Sequence, residues 1–234
     1  MPLPARLLTS LTVVLALTPA LAGCGSSSGS APAGTAHKSH AMGAATPTSA
    51  TGTATTALKP GGPEGVPLEP GPQLAPASTT APGTTVDGIH CAPIEQLAYH
   101  IHAHLQVYVG GLPRSLPPAI GMLDPVYEQT AYGRFYGARK CYYWLHTHAS
   151  DGVIHIESPT KRIYTLGDFF NEWRQPLSST RVASAAGRVT ATVNGKPWRR
   201  SPRAIPLLPH ATIQLAVGQP IPPFHKVDWA ATEL

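Results

Sequence analysis

Residues 100–109 alternate between apolar and polar side chains, which is the pattern typical of a β-strand. The polar positions begin with three histidines, His100, His102 and His104. Successive side chains of a strand point to opposite faces, so one face of this strand is apolar and the other carries imidazoles. The glycine pair Gly110-Gly111 predicts a turn at the end of the strand.

Two further strands are predicted over residues 141–148 and 153–158, and the Ser-Asp-Gly sequence between them favours a turn. The two strands then form a β-hairpin, in which directly opposed side chains lie about 4.5–5.5 Å apart. With a loop over residues 149–152, His146 lies opposite His155. Four side chains of the hairpin then share one face: His146, His148, His155 and Glu157.

One clear amphipathic helix is predicted after Thr165. Apolar side chains recur there with the i, i+3, i+4, i+7 spacing of a helix face: Leu166, Phe169, Phe170 and Trp173. Thr165 and Asp168 resemble a capping box, with Asp in place of the usual Glu, and Pro176 ends the helix.

The remaining pattern predicts a weaker helix over residues 178–186 and strands over 188–193 and 211–217, the first of which ends at the turn sequence Asn194-Gly195. Together the elements predict an α+β fold that is predominantly β. Its core is expected to be a small antiparallel or mixed sheet with the one clear amphipathic helix.

Composition divides the chain into three parts. Arg6 precedes an apolar run that ends near Ala22, so residues 1–23 are predicted to be an export signal. Residues 24–86 are rich in Ala, Thr, Ser, Pro and Gly and contain no aromatic side chain, which predicts a disordered tether. All aromatic residues follow this segment, and residues 87–234 are predicted to form one globular domain.

The sequence Leu21-Ala22-Gly23-Cys24 resembles the lipobox of bacterial lipoproteins, in which small residues lead into a cysteine. The resemblance implies that residues 1–23 are a lipoprotein signal peptide, cleaved before Cys24, and that Cys24 is lipidated. It also implies a protein held at the cell membrane by its lipid anchor, on the extracytoplasmic face. An ordinary secretory signal with an unrelated cysteine is the alternative.

Two cysteines remain in the predicted domain, Cys91 and Cys141. Disulfides persist in exported proteins, so we expect these two residues to form one, which would connect the segments that precede the two histidine runs. Thiolate ligands for a metal ion are the alternative.

The clustered histidines are candidate metal ligands, because neutral imidazole is the commonest metal ligand in proteins. His100 and His104 are about 13 Å apart on an extended strand, so the three histidines of the first run rarely converge on one ion. The predicted ligands are His102, His104, His146, His148, His155 and Glu157. A donor set of nitrogen with one carboxylate suits Zn²⁺ or Cu²⁺. A polar network of histidines without a metal is the alternative.

Charge contributes little to the functional prediction. The formal net charge is +5 at pH 7, and no Lys/Arg-rich run with interleaved aromatics occurs, so nucleic acid is not expected as a partner. The sequence indicates no particular protein partner. The leading hypothesis is a membrane-anchored extracytoplasmic protein that binds Zn²⁺ or Cu²⁺.

Two other classes of function remain open. One is an extracytoplasmic metalloenzyme of the zinc hydrolase or lyase type, with Glu157 as the candidate base beside a zinc-bound water. The other is a protein-interaction module that binds no metal.

Overall fold

The computed structural model describes residues 61–232 and residue 234. The predicted signal peptide, Cys24 and the first part of the predicted tether lie outside the described residues. In chain order the strands are β1 (Cys91–Ala92), β2 (Tyr99–Val109), β3 (Leu112–Arg114), β4 (Met122–Thr130), β5 (Gly133–Tyr143), β6 (Leu145–His146), β7 (Val153–Ser158), β8 (Leu177–Ser178), β9 (Arg181–Val182), β10 (Ala185–Ala186), β11 (Val189–Val193), β12 (Lys196–Trp198) and β13 (Ala211–Val217). The helix α1 (Leu166–Glu172) lies between β7 and β8, and short 3-10 turns occur at Ala77–Thr79, Pro202–Ala204 and Trp229–Ala231.

The largest sheet has the strand order β12-β11-β13-β2-β7-β6, and β3 also pairs with β2. Strand β2 runs parallel to β13 and antiparallel to β7, so the sheet is mixed. The predicted class, α+β and predominantly β with one clear helix, is confirmed. The strands predicted over residues 153–158 and 211–217 are found with those bounds.

One face of the β2–β7 pair forms the hydrophobic core. Ile101 lies opposite Ile156 and Ala103 lies opposite Ile154, as the alternation predicts. The core extends from these side chains to the aromatic side chains of the helix segment, Phe169, Phe170 and Trp173, which are fully buried. The helix is therefore held mainly by its apolar face, as is usual for a helix of this length.

The predicted capping box is present at the start of α1. The Thr165 side chain accepts a hydrogen bond from the Asp168 backbone N–H, and the Asp168 carboxylate accepts one from the Thr165 N–H. Together the two interactions close the first turn of the helix. No helix among the described residues is long and apolar enough to cross a membrane.

The weaker helix predicted over residues 178–186 is wrong, because this segment forms the small strands β8, β9 and β10. The Ser178 hydroxyl accepts a hydrogen bond from the Thr180 N–H at 3.1 Å. Such local contacts from serine offer the backbone a turn in place of a helix. The chain turns again at Ala183, which has a φ of +49°.

The strand predicted over residues 141–148 is interrupted, because the chain changes partners within it. Residues up to Tyr143 belong to β5, which pairs with β4 and β1 in a second sheet. Leu145 and His146 form β6 and pair with β7 in the main sheet. The segment therefore connects the two sheets.

The predicted disulfide between Cys91 and Cys141 is confirmed, with the two Cα atoms 5.4 Å apart. It connects β1 to β5 beside their paired residues Cys91 and Tyr143. The bridge therefore fixes the segment before β2 to the segment before β6, as expected from the positions of the cysteines.

The predicted boundary between tether and domain near residue 87 is wrong, because residues 61–86 pack on the domain. Leu74 and Ala81 are buried in the core. The Leu74 N–H donates to the Ser115 carbonyl oxygen at 2.9 Å. The segment has the composition of a disordered chain, but it does not form a core of its own. It adds a few apolar side chains and backbone hydrogen bonds to a surface that the domain provides.

Candidate metal centre

Strand pairing brings the predicted ligands together in rows. His102 lies opposite His155 on β7, and His155 lies opposite His146 on β6. Three imidazoles therefore form one row across three adjacent strands, with His155 in the middle. The next row places His100 opposite Glu157. The predicted pairing of His146 with His155 is confirmed.

Two overlapping groups of side chains have donor atoms close enough to hold a metal ion. We call the first the inner set, and it consists of His146, His148, His155 and Glu157. The second is the outer set, and it consists of His100, His102 and His155. Within each set the donor atoms lie within 4.8 Å of one another. The two sets share His155 and lie on either side of it along the row.

The inner set is buried, and residues outside the set hold its side chains in place. His146 and Glu157 are at most 2% exposed. His148 lies just beyond β6, where its ring stacks on Phe135 of β5 with the ring centroids 4.4 Å apart. The long hairpin of β4 and β5 therefore positions a candidate ligand that the main sheet alone would leave at its edge.

Backbone carbonyl groups determine which nitrogen of His146 and of His148 carries the proton. The Nδ1–H of His146 donates to the Tyr143 carbonyl oxygen at 2.8 Å, and the Nδ1–H of His148 donates to the Tyr136 carbonyl oxygen. A carbonyl oxygen only accepts, so each ring presents an unprotonated Nε2 to the interior of the site. The two Nε2 atoms are 3.1 Å apart.

This contact lacks a proton at neutral pH. Burial and the charge of neighbouring histidines lower the pKa of His146 well below its usual value, and burial lowers the pKa of His148 to about 4. Both rings are therefore neutral, and two nitrogen lone pairs face each other across a hydrogen-bonding distance. Such an arrangement is unfavourable unless a cation lies between the two atoms.

His155 lies between two carboxylates. Its Nδ1 is 3.1 Å from Glu157 Oε1, and its Nε2 forms a hydrogen bond with Glu64 Oε1. Burial opposes the charged form of the ring, but the contacts with Glu157 and Glu64 outweigh it and raise the pKa of His155 to about 9. Without a metal ion, the ring is an imidazolium that connects the two carboxylates.

Glu64 and Glu95 contribute to the site although sequence analysis did not identify them. Glu64 belongs to the segment interpreted as tether, yet it is buried against His155. Glu95 Oε1 is 3.5 Å from His148 Nε2. One signal for Glu64 was present, because Glu64 and Glu69 are the sole carboxylates among residues 24–86.

His104, a predicted ligand, lies outside both sets. It is opposite Val153, two pairs further along β2 than the His102–His155 pair. Its Nε2 forms a hydrogen bond with the Asp151 carbonyl oxygen at 2.9 Å. Burial lowers the pKa of His104 to about 4, so the ring is neutral and Nε2–H is the donor. His104 therefore belongs to neither of the two groups of donors that could hold a metal ion.

His102 lies in the outer set, as part of the same row. Burial and then the neighbouring His155 lower the pKa of His102 to about 3, so this ring is also neutral. The cluster as a whole therefore combines neutral imidazoles, the charged ring of His155 and buried carboxylates, and these residues could hold a metal ion.

No family model matches the chain, and neither the curated proteins nor the solved structures include a match. The fold and the site together define a predominantly β domain, closed by a disulfide, with a buried cluster of histidines and glutamates that could hold a metal.

Proposed function

We propose that this protein binds one divalent metal ion, Zn²⁺ or Cu²⁺, through the inner set. The observation that carries the proposal is the contact at 3.1 Å between the unprotonated Nε2 atoms of His146 and His148. A cation between two such lone pairs turns an unfavourable contact into two coordinate bonds.

Three of the donor-atom separations in the inner set are close to those of a tetrahedral site. Bonds of about 2.0–2.1 Å to a tetrahedral ion separate its ligand atoms by about 3.3 Å. The separation of Glu157 Oε1 from His155 Nδ1 is 3.1 Å, and its separation from His146 Nε2 is 3.8 Å. Three imidazole nitrogens and one carboxylate oxygen are also a donor set that suits Zn²⁺ and Cu²⁺.

Groups around the ligands support the same assignment. His146 and His148 donate through Nδ1 to carbonyl oxygens, and His155 is held through Nε2 by Glu64. In each ring the nitrogen that is not a ligand is thus engaged by an oxygen acceptor. This is how proteins orient metal-binding imidazoles.

Four protein ligands in a buried site favour binding over catalysis, since a catalytic zinc keeps one position open for water or substrate. The hydrolase or lyase alternative therefore has less support than capture or delivery of the ion. A protein-interaction module has less support still, because the imidazoles converge on common points and are not dispersed over a surface.

We propose in addition that the domain acts outside the cytoplasm, on a lipid anchor at Cys24. The support is the apolar leader and the lipobox-like sequence before Cys24, together with a disulfide in the domain. A protein so placed would capture, buffer or deliver the ion at the membrane surface. A Cys24→Ser variant is expected in the soluble exported fraction, and its retention at the membrane would contradict the anchor.

The test of metal binding is elemental analysis and titration of the purified full chain. The unaltered chain is expected to take up about one equivalent of Zn²⁺ or Cu²⁺, and the double variant His146→Ala/His148→Ala is expected to take up none. His225→Ala is the matched control, because His225 is exposed and lies outside both sets. Failure of the unaltered chain to bind either ion would refute the proposal.

A further inference from the structure

The outer set lies on the solvent side of His155 and has its own geometry. The ring centroid of His102 is 4.5 Å from that of His100 and 4.5 Å from that of His155. The donor atoms of these three residues lie within 4.8 Å of one another. Imidazoles arranged in this way form a second group of nitrogen donors beside the inner set.

One nitrogen of His102 lacks a partner among the described residues. His102 Nε2 is buried and makes no hydrogen bond with any other described residue. A buried polar atom without a partner is rare in folded proteins and calls for a ligand or an ion. The unpartnered atom belongs to a residue of the outer set, so it supports a ligand at this position by an observation separate from the inner set.

Exposure decreases in one direction along the cluster. The His100 side chain is 36% exposed, whereas His102 is 8% exposed and His146 is fully buried. His100 Nε2 is also 3.1 Å from Glu157 Oε1, which belongs to the inner set. The outer set therefore connects the solvent with the buried ligands through contacts between neighbouring side chains.

We propose that the outer set is a second metal position, through which the divalent cation enters and leaves the inner set; this inference rests on the proposed function. The ion first binds His100 and His102, and His155 then completes the set. It reaches the inner set by exchanging the nitrogens of His100 and His102 for those of His146 and His148. Because His155 belongs to both sets, occupation of one position withdraws a ligand from the other, and the ion occupies them in sequence.

Sequential occupation has a kinetic consequence. A residue that acts only along the entry path changes the rates of binding and release by the same factor and leaves the dissociation constant unchanged. A residue that only supports the inner set changes the dissociation constant, mostly through the rate of release. The two roles are therefore distinguishable by experiment.

The test is stopped-flow measurement of Zn²⁺ binding and of its release to a chelator, with the full chain. His102→Asn and His100→Gln are expected to lower both rates by about tenfold and to leave the dissociation constant unchanged within about threefold. The glutamine at position 100 can still form a hydrogen bond with Glu157, so this variant removes the imidazole and retains the contact. His225→Ala is the control and is expected to bind like the unaltered chain.

Three results would overturn the inference while leaving the proposed function intact. They are unchanged rates in both variants, a weaker dissociation constant with an unchanged rate of binding, and simultaneous binding of two ions by the unaltered chain. Absence of any binding by the unaltered chain is a different result, and it would overturn both proposals. A circular dichroism spectrum of each variant checks that its fold is retained.

Discussion

The two faces of the β2–β7 pair are built by the same strands in the same register, but their side chains differ in how completely their interactions are formed. On the apolar face, Ile101, Ile154 and Ile156 pack into a continuous core with the helix. On the histidine face, polar atoms such as His102 Nε2 and Glu157 Oε2 are buried and have no hydrogen-bond partner among the described residues. The apolar side chains stabilise one another by packing, whereas the histidine face contains buried polar atoms that a cation could satisfy. Buried polar atoms without hydrogen-bond partners destabilise a fold, and proteins retain them mainly at functional sites.

The largest expected change in the free energy of unfolding comes from a substitution in the core on the apolar face. Trp173→Ala removes a fully buried side chain and is expected to lower the free energy of unfolding by about 3–5 kcal/mol, because it leaves a cavity in the core. Urea denaturation without added metal measures this change. Tyr127→Ala is the control, since Tyr127 is 52% exposed, and it is expected to change stability by about 0.5 kcal/mol or less. An equal effect of the two substitutions would contradict the assignment of the core.

The next effect is on the histidine face and requires a metal ion. Zn²⁺ at a free concentration of 100 times its dissociation constant is expected to raise the free energy of unfolding by about 2.7 kcal/mol. His148→Leu removes a ligand, so this increase should disappear. Denaturation with and without Zn²⁺ measures both values, and His225→Leu should retain the increase. Stabilisation of the His148→Leu variant to the full extent would place the ion elsewhere.

Acid should destabilise the metal-free protein through the same face. In the folded protein the pKa of His148 is lowered to about 4 and that of His102 to about 3. In the unfolded chain both histidines have the usual pKa of about 6.5, so below that pH the unfolded chain binds more protons at these positions than the folded protein does. Each such histidine therefore lowers the stability as the pH falls below about 6.5, by up to about 1.4 kcal/mol per pH unit, whereas Glu69, whose pKa burial raises to about 8, has the opposite effect.

Urea midpoints between pH 7 and pH 4 measure this slope. His102→Gln cannot take up a proton in the unfolded chain and should reduce the slope, whereas His225→Gln should leave it unchanged. An equal slope in His102→Gln and in the unaltered chain would contradict the burial of a neutral imidazole at this position.

A smaller effect concerns proton release from His155. Its pKa is raised to about 9, so the ring is charged at pH 7 and must lose about one proton when its nitrogen binds a metal ion. Calorimetric titration with Zn²⁺ in buffers of different ionisation enthalpy measures that proton.

The release should disappear as the pH rises above about 9, because the ring is then already neutral. Glu64→Gln removes one of the carboxylates that hold the charge and should decrease the release at neutral pH. Binding without proton release at pH 7 would contradict the ligand role of His155.

Local sequence patterns predicted part of the fold and part of the candidate site. The alternation around His100 and His102, the hairpin that pairs His146 with His155, and the cap at Thr165 all follow from rules that act over a few residues. The apolar and histidine faces of β2 could be assigned for the same reason.

The remaining features of the candidate site depend on contacts between distant parts of the chain. Glu64 reaches His155 across 91 residues from a segment with the composition of a tether, so no local pattern indicates it. Whether His104 could join the cluster also depended on the partner strand. His104 lies opposite Val153, whereas His102 lies opposite His155. Alternation identifies the face of a strand, and only the pairing shows which positions on it meet.

The central claim is that imidazoles of the inner set converge on one ion. X-ray absorption spectroscopy of the zinc-loaded full chain tests this directly, because it measures the distances and the kinds of atoms around the metal. The account predicts four nitrogen or oxygen neighbours at about 2.0–2.1 Å, with the outer-sphere scattering of three imidazole rings. A shell of six oxygens without imidazole scattering would contradict it.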